Sequence, residues 1–125
     1  MIICAAQIRP EKGAVKANIR KHINCVEQAA ESNANLIVFP ELSITSYEPE
    51  LARDLCLSPN DSQLKVFAEL SAKRSIIIGL GLPTSAPNGL KISMALFKPN
   101  EVASVYSKQH IHEDEEPFFV PGDAD

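Results

Sequence analysis

Apolar residues fall along this chain in two rhythms. Between Ala14 and Ser32, Val15, Ile19, Ile23, Val26 and Ala30 recur at intervals of three and four, with Lys16, Arg20, Lys21, Glu27 and Glu31 on other faces. That spacing lines the apolar side chains along one stripe of a 3.6-residue turn and predicts an amphipathic helix. Three shorter runs, "IICAAQI" (2–8), "NLIVF" (35–39) and "SIIIGLGL" (75–82), are apolar without alternation. Runs of this length suit buried strands covered on both faces. A short helical piece is predicted from Glu50 to Leu55. A longer helix is predicted from Asn60 to Lys73, where Ser58, Pro59 and Asp61 supply an N-cap, an N1 proline and a first-turn acid. "PTSAPNG" (83–89) reads as a turn. "LKISMALFK" and "ASVYSK" alternate loosely around Pro99-Asn100 and should pair as an antiparallel hairpin.

The resulting order is strand, helix, strand, helix, strand and hairpin. It predicts one α/β domain over residues 1–125, a mixed sheet with covering helices on at least one face. A chain of 125 residues with 45% hydrophobic content is long enough for one real core. A net charge of -4, with twelve scattered Lys and Arg, gives no electrostatic footprint for nucleic acid. No apolar run approaches membrane-spanning length, and "MIICAAQIRP" lacks the basic start of a signal peptide, so a cytoplasmic protein is expected. Cys4, Cys25 and Cys56 are odd in number and lack CxxC spacing, which argues against a disulfide framework or a zinc knuckle. They are expected as small buried hydrophobes. "GLGLP" (79–83) lacks the spacing of a phosphate loop, so neither nucleotide nor any other cofactor is expected.

Candidate chemistry gathers at strand ends, where α/β proteins keep their sites. Glu41 follows the run "NLIVF", and Lys108 follows "ASVYS". If the first and last strands are neighbours, their carboxyl ends could bring the two into one cleft. A glutamate beside a lysine makes a good general base, because the cation and desolvation act on it in opposite directions. The closing segment "HIHEDEEPFFVPGDAD" (110–125) carries the pair Glu115-Glu116. In an extended segment His110 and His112 would point the same way, but the acids around them, Glu113 and Asp114 among them, are crowded and lack a supporting shell, so no metal site is expected. Tyr47 and the pair Phe118-Phe119 could line a substrate pocket or pack as anchors.

"FPELSITSYEP" (39–49) and "YSKQHIHEDEEPFFVPGD" (106–123), separated by a helix and "SIIIGLGL", resemble the carbon-nitrogen hydrolase (nitrilase) superfamily. The opening "AAQIRPEKGAVKANI" (5–19) is similar to that family's first strand and helix. The resemblance implies a four-layer α-β-β-α sandwich and hydrolysis of non-peptide carbon-nitrogen bonds in small amide, nitrile or carbamoyl compounds. It implies a Glu-Lys-Cys mechanism, with Glu41 as general base and Lys108 stabilising the tetrahedral intermediate. A second glutamate that positions substrate and triad falls at Glu115 or Glu116, with Glu115 favoured by its distance from Pro121-Gly122. The family's nucleophile stands well downstream of the lysine, and none of Cys4, Cys25 or Cys56 takes its place. The expectation is therefore the N-terminal portion of a hydrolase, inactive as it stands. The alternative is a stand-alone, non-catalytic binding or oligomerisation module. An inner sheet face including "NLIVF" and "SIIIGLGL" would lack a cover, so self-association is expected through it or through the helix layer.

Overall fold

The computed structural model describes residues 1–123. Strands β1 (Ile3–Ala5), β2 (Leu36–Val38), β3 (Ile77–Ala86), β4 (Gly89–Phe97) and β5 (Ser104–Ser107) form one sheet in the order β1-β2-β3-β4-β5. The first three are parallel and the last two add antiparallel. Helix α1 (Val15–Glu31) links β1 to β2; the short α2 (Ala52–Leu55) and then α3 (Lys65–Arg74) lie between β2 and β3. Single 3₁₀ turns lie at Pro49–Leu51, Ser62–Leu64 and Glu113–Glu115. Ala124 and Asp125, the end of the acidic closing segment, lie outside the described residues.

Helices α1 and α3 share one core with the sheet. Ile19, Val26 and Ala29 from α1 and Phe67 from α3 pack with Ile37, Phe39, Ile78, Leu80, Leu82, Ala95 and Phe97. Burying each of the larger of these side chains stabilises the fold by roughly 1.5–3 kcal/mol. The other sheet face is treated differently. Direct pairing puts Leu36 with Ile77, Val38 with Gly79 and Leu96, and Gly81 with Met94 and Tyr106 on that face. There Leu36, Val38, Ile77, Met94 and Leu96 are only half-buried, and Ile3 and Tyr106 are 61% and 57% exposed.

Several expectations are corrected here. The run "NLIVF" is covered on one face only, by the helices, and "SIIIGLGL" gains a second cover at Gly81, where the loop after β2 crosses it. β1 covers three residues rather than 2–8 and is exposed, because it is an edge strand bonded only to β2. The "PTSAPNG" turn shrinks to Pro87-Asn88, since β3 runs on to Ala86. Pro83 is tolerated in that ladder because alternate residues Gly79, Gly81 and Pro83 turn their backbone away from β4; their carbonyls accept from Phe39, Ile44 and Leu57 N–H instead. The helix expected from Asn60 opens instead as a 3₁₀ turn at Ser62, with Asp61 accepting from Gln63 N–H. It ends at Ser75 in the left-handed region, which delays β3 to Ile77. All three cysteines are half-buried, not fully buried. The β4-β5 hairpin forms as expected. No helix among the described residues is long and apolar enough to cross a membrane.

Candidate active site

The segment after β2 folds back over the sheet instead of continuing it. Ile44 N–H donates to Gly81 O at 2.9 Å, and Ser43 and Thr45 close turns onto Pro40 O and Leu42 O at 3.2 Å each. The backbone comes so near β3 that a Cβ at position 81 would sit 2.2 Å from Pro40 O and 2.5 Å from Leu42 N. Only glycine permits that approach. Leu42 is left-handed at φ +54° and its side chain is anchored among Ala52, Leu90, Ile92 and Phe119. A leucine in that region costs about 1–2 kcal/mol, which the packing offsets. Glu41 therefore stands on a fixed corner over Gly81.

Lys108 arrives from the other end of the chain. Its N–H donates to Ile92 O at 2.7 Å and its carbonyl accepts from Gly122 N–H at 2.8 Å, so the backbone is held on both sides where β5 ends. Its ammonium reaches Glu41 Oε1 at 3.0 Å and Glu115 Oε1 at 3.1 Å. Glu115 sits in the last 3₁₀ turn, where its carboxylate accepts from His112 N–H at 2.8 Å and from the Tyr47 hydroxyl at 2.5 Å. The side chains of Glu41 and Lys108 are 39% and 32% exposed, whereas that of Glu115 is 4% exposed. A bound molecule can therefore touch the first two, while Glu115 meets Lys108 from the buried side.

Two carboxylates share one ammonium, leaving a net negative charge. Partial burial pulls the Lys108 ammonium's pKa down, but the hydrogen bonds and charges of Glu41 and Glu115 outweigh it and hold the value above its ordinary one. Burial likewise raises the pKa of Glu115, and Tyr47, the His112 amide and Lys108 more than reverse this. The hydrogen bond to Glu115, helped by burial and nearby acids, pushes the Tyr47 hydroxyl up to about 12.

Glu41, Gly81, Ile92, Ser93, Met94, Tyr106, Lys108, Gln109 and His110 line an open cleft of about 320 Å³ on the sheet face away from the helices. Of the two glutamate alternatives, Glu115 enters the cluster and Glu116 is exposed. Tyr47 touches the cluster through Glu115. Phe118 is exposed outside the cleft lining, and Phe119 packs in the small core beside Leu42. His110 lines the cleft, while His112 Nδ1 accepts from Asp114 N–H at 3.2 Å. The first and last strands are not neighbours: β1 and β5 are opposite edges, and the Glu41 loop crosses over β3 to make the contact.

The helical stripe also hid polar residues. Asn18 and His22 are fully buried on α1. Asn18 Nδ2 donates to Ile44 O at 2.9 Å, and His22 Nε2 lies 2.8 Å from Ser43 Oγ, so both grip the loop that carries Glu41. Their four-residue spacing, on the same stripe as Ile19 and Val26, was the available signal.

None of the three cysteines lines the cleft. Cys4 and Cys25 pack at the main core on the helix side, and Cys56 packs against the small core, its thiol donating to Arg53 O at 3.4 Å.

Comparison with known proteins adds to this geometry. A glutamine-dependent NAD(+) synthetase of Acinetobacter baylyi is 32% identical over 127 aligned residues, which cover 96% of this chain and 23% of that protein. A probable nitrilase of Schizosaccharomyces pombe is 28% identical, with 96% of this chain and 47% of that protein covered. The chain thus spans about a quarter to a half of these curated relatives. Among solved structures, the NitN amidase from Neterenkonia sp. AN1 superposes with a TM-score of 0.83 at 21% identity, over 98% of this chain and 49% of that one. That likeness shows a shared fold. The carbon-nitrogen hydrolase family matches residues 2–124, and the chain belongs to that family.

Proposed function

We propose that this chain supplies the base and cation of an active site that hydrolyses a small amide, nitrile or carbamoyl compound. The observation that carries the reading is the Lys108 ammonium held at 3.0 and 3.1 Å between Glu41 and Glu115 at the edge of an open cleft. Glu41 takes the proton of an attacking thiol and passes it to the departing amine. Lys108 stabilises the oxyanion of the tetrahedral species, a role suited to a cation that stays charged at neutral pH. Glu115 holds Lys108 in place from the buried side. Tyr106 and Met94 form the apolar floor against which a short acyl chain packs.

No cysteine lines the cleft among the described residues, and in this proposal the attacking thiol comes from outside residues 1–125. The likeness to glutamine-dependent NAD(+) synthetases favours a primary amide such as a glutamine side chain as substrate. The three unbridged cysteines fit a reducing, cytoplasmic setting. The test is pre-steady-state acylation with an activated ester: residues 1–125 give no acyl-enzyme burst, and a burst abolished by thiol alkylation would overturn the assignment of the nucleophile elsewhere.

A second reading is favoured by the half-buried sheet face of Leu36, Val38, Ile77, Met94 and Leu96 with exposed Ile3 and Tyr106. Such a surface suits a binding or oligomerisation module that pairs with a copy of itself. Light scattering that gives a monomer at all concentrations removes that reading.

A further inference from the structure

We propose that His22 and Ser43 are positioning residues that aim Glu41 at Lys108. The proposal rests on the reading of Glu41 as the base, and its geometry is independent of the chemistry. Gly81 N–H can only donate, and it points at Ser43 Oγ at 3.2 Å. The Asn18 carbonyl can only accept, and it faces His22 Nδ1 at 2.6 Å. Burial keeps the His22 ring neutral and its single ring proton goes to the Asn18 carbonyl, so Nε2 accepts and the remaining contact, Ser43 Oγ to His22 Nε2 at 2.8 Å, runs from Ser43. Gly81 donates to Ser43, Ser43 donates to His22, and His22 donates from Nδ1 to Asn18. The chain of bonds runs from β3 through the Glu41 loop to α1 and fixes the neutral Nδ1–H tautomer.

His22 grips the loop on both sides of Glu41. Its ring lies on Phe39, with centroids 4.2 Å apart, and its Nε2 holds Ser43. Between these anchors only Pro40, Glu41 and Leu42 remain, and Leu42 is left-handed. A left-handed leucine persists only where its surroundings hold it. With the Ser43 anchor released, Leu42 relaxes and the Glu41 carboxylate swings away from Lys108, while Glu115 is untouched.

Zero-length carbodiimide cross-linking of the 125-residue chain, read by peptide mass spectrometry, tests this. The native chain yields the Glu41–Lys108 amide and, as an internal reference away from the Glu41 loop, the Asp123–Lys91 amide, whose carboxylate is 87% exposed and lies 3.4 Å from its ammonium. In Ser43→Ala and His22→Leu the first falls severalfold relative to the second. His22→Gln, whose side-chain carbonyl can accept from Ser43, keeps the native ratio. An unchanged ratio in Ser43→Ala, or both cross-links falling together with thermal stability, would overturn the proposal. Ser43→Ala decides the matter if His22→Leu does not fold. Because no hydrolysis is read, failure of the hydrolase reading leaves this outcome unaffected.

Discussion

The Lys108 ammonium lies 3.0 Å from Glu41, although the strands that precede the two residues, β5 and β2, are separated in the sheet by β3 and β4. The gap is closed by the loop from Pro40 to Thr45 lying over Gly81 and by Lys108 reaching back across β4. Stability and site geometry therefore depend on the same few contacts.

Gly81→Ala tests the close approach directly. A Cβ there meets backbone atoms of Pro40 and Leu42, which cannot rotate away. The expected loss is roughly 1–3 kcal/mol in urea unfolding, with the Glu41–Lys108 cross-link lost in the fraction that remains folded. An unchanged midpoint and an intact cross-link would show that the loop moves freely.

Lys108→Met leaves Glu115 buried at 4% side-chain exposure without its cation. Removing one partner of such a pair costs about 1–3 kcal/mol at neutral pH after allowing for the partly exposed lysine. Glu115 has a lowered pKa in the folded protein, so its contribution is present above the unfolded value and disappears as pH falls through the folded one. The variant and the native chain should therefore converge in stability in acid. Parallel curves of stability against pH would contradict the pairing.

His22 gives a second pH window. Burial, opposed by the Asn18 carbonyl, lowers its pKa to about 4 from 6.5. The unfolded chain takes up a proton that the folded one refuses. The contribution is thus fully present above 6.5, and as pH falls to about 4 stability drops by on the order of 3 kcal/mol. His22→Gln should flatten that segment of the unfolding curve. A slope unaffected by the substitution would assign it to other groups.

Tyr47 should titrate late. Its hydroxyl donates to Glu115 and ionises only at about 12. Ultraviolet titration of Glu115→Gln should show this tyrosine returning toward its ordinary value near ~10. A Tyr47 titration that ignores the substitution would mean the two side chains do not meet in solution.

The helices and the β4-β5 hairpin were legible because period-3.6 and loosely alternating patterns survive in the sequence. Glu41 and Lys108 were singled out by their places at strand ends, and the motif resemblance supplied their roles and favoured Glu115 over Glu116. Their convergence follows from Gly81 and the left-handed Leu42, which local pattern does not reveal. An apolar run such as "NLIVF" looks the same whether one face or both are covered, so the runs alone suggested two covers, and only the resemblance pointed to the uncovered face. His22 and Asn18 escaped notice because a polar residue on an apolar stripe carries no mark of the loop that will satisfy it.

The most direct measurement is ammonia release by the native gene product, purified from its own cells and offered glutamine, short aliphatic amides, nitriles and carbamoyl compounds, with and without Glu41→Gln. The expected result is release from at least one of them, reduced roughly 10²–10⁴-fold by the substitution. Release that Glu41→Gln leaves intact, or no release from a product in which a thiol completes the cleft, would contradict the assignment of Glu41 as the base.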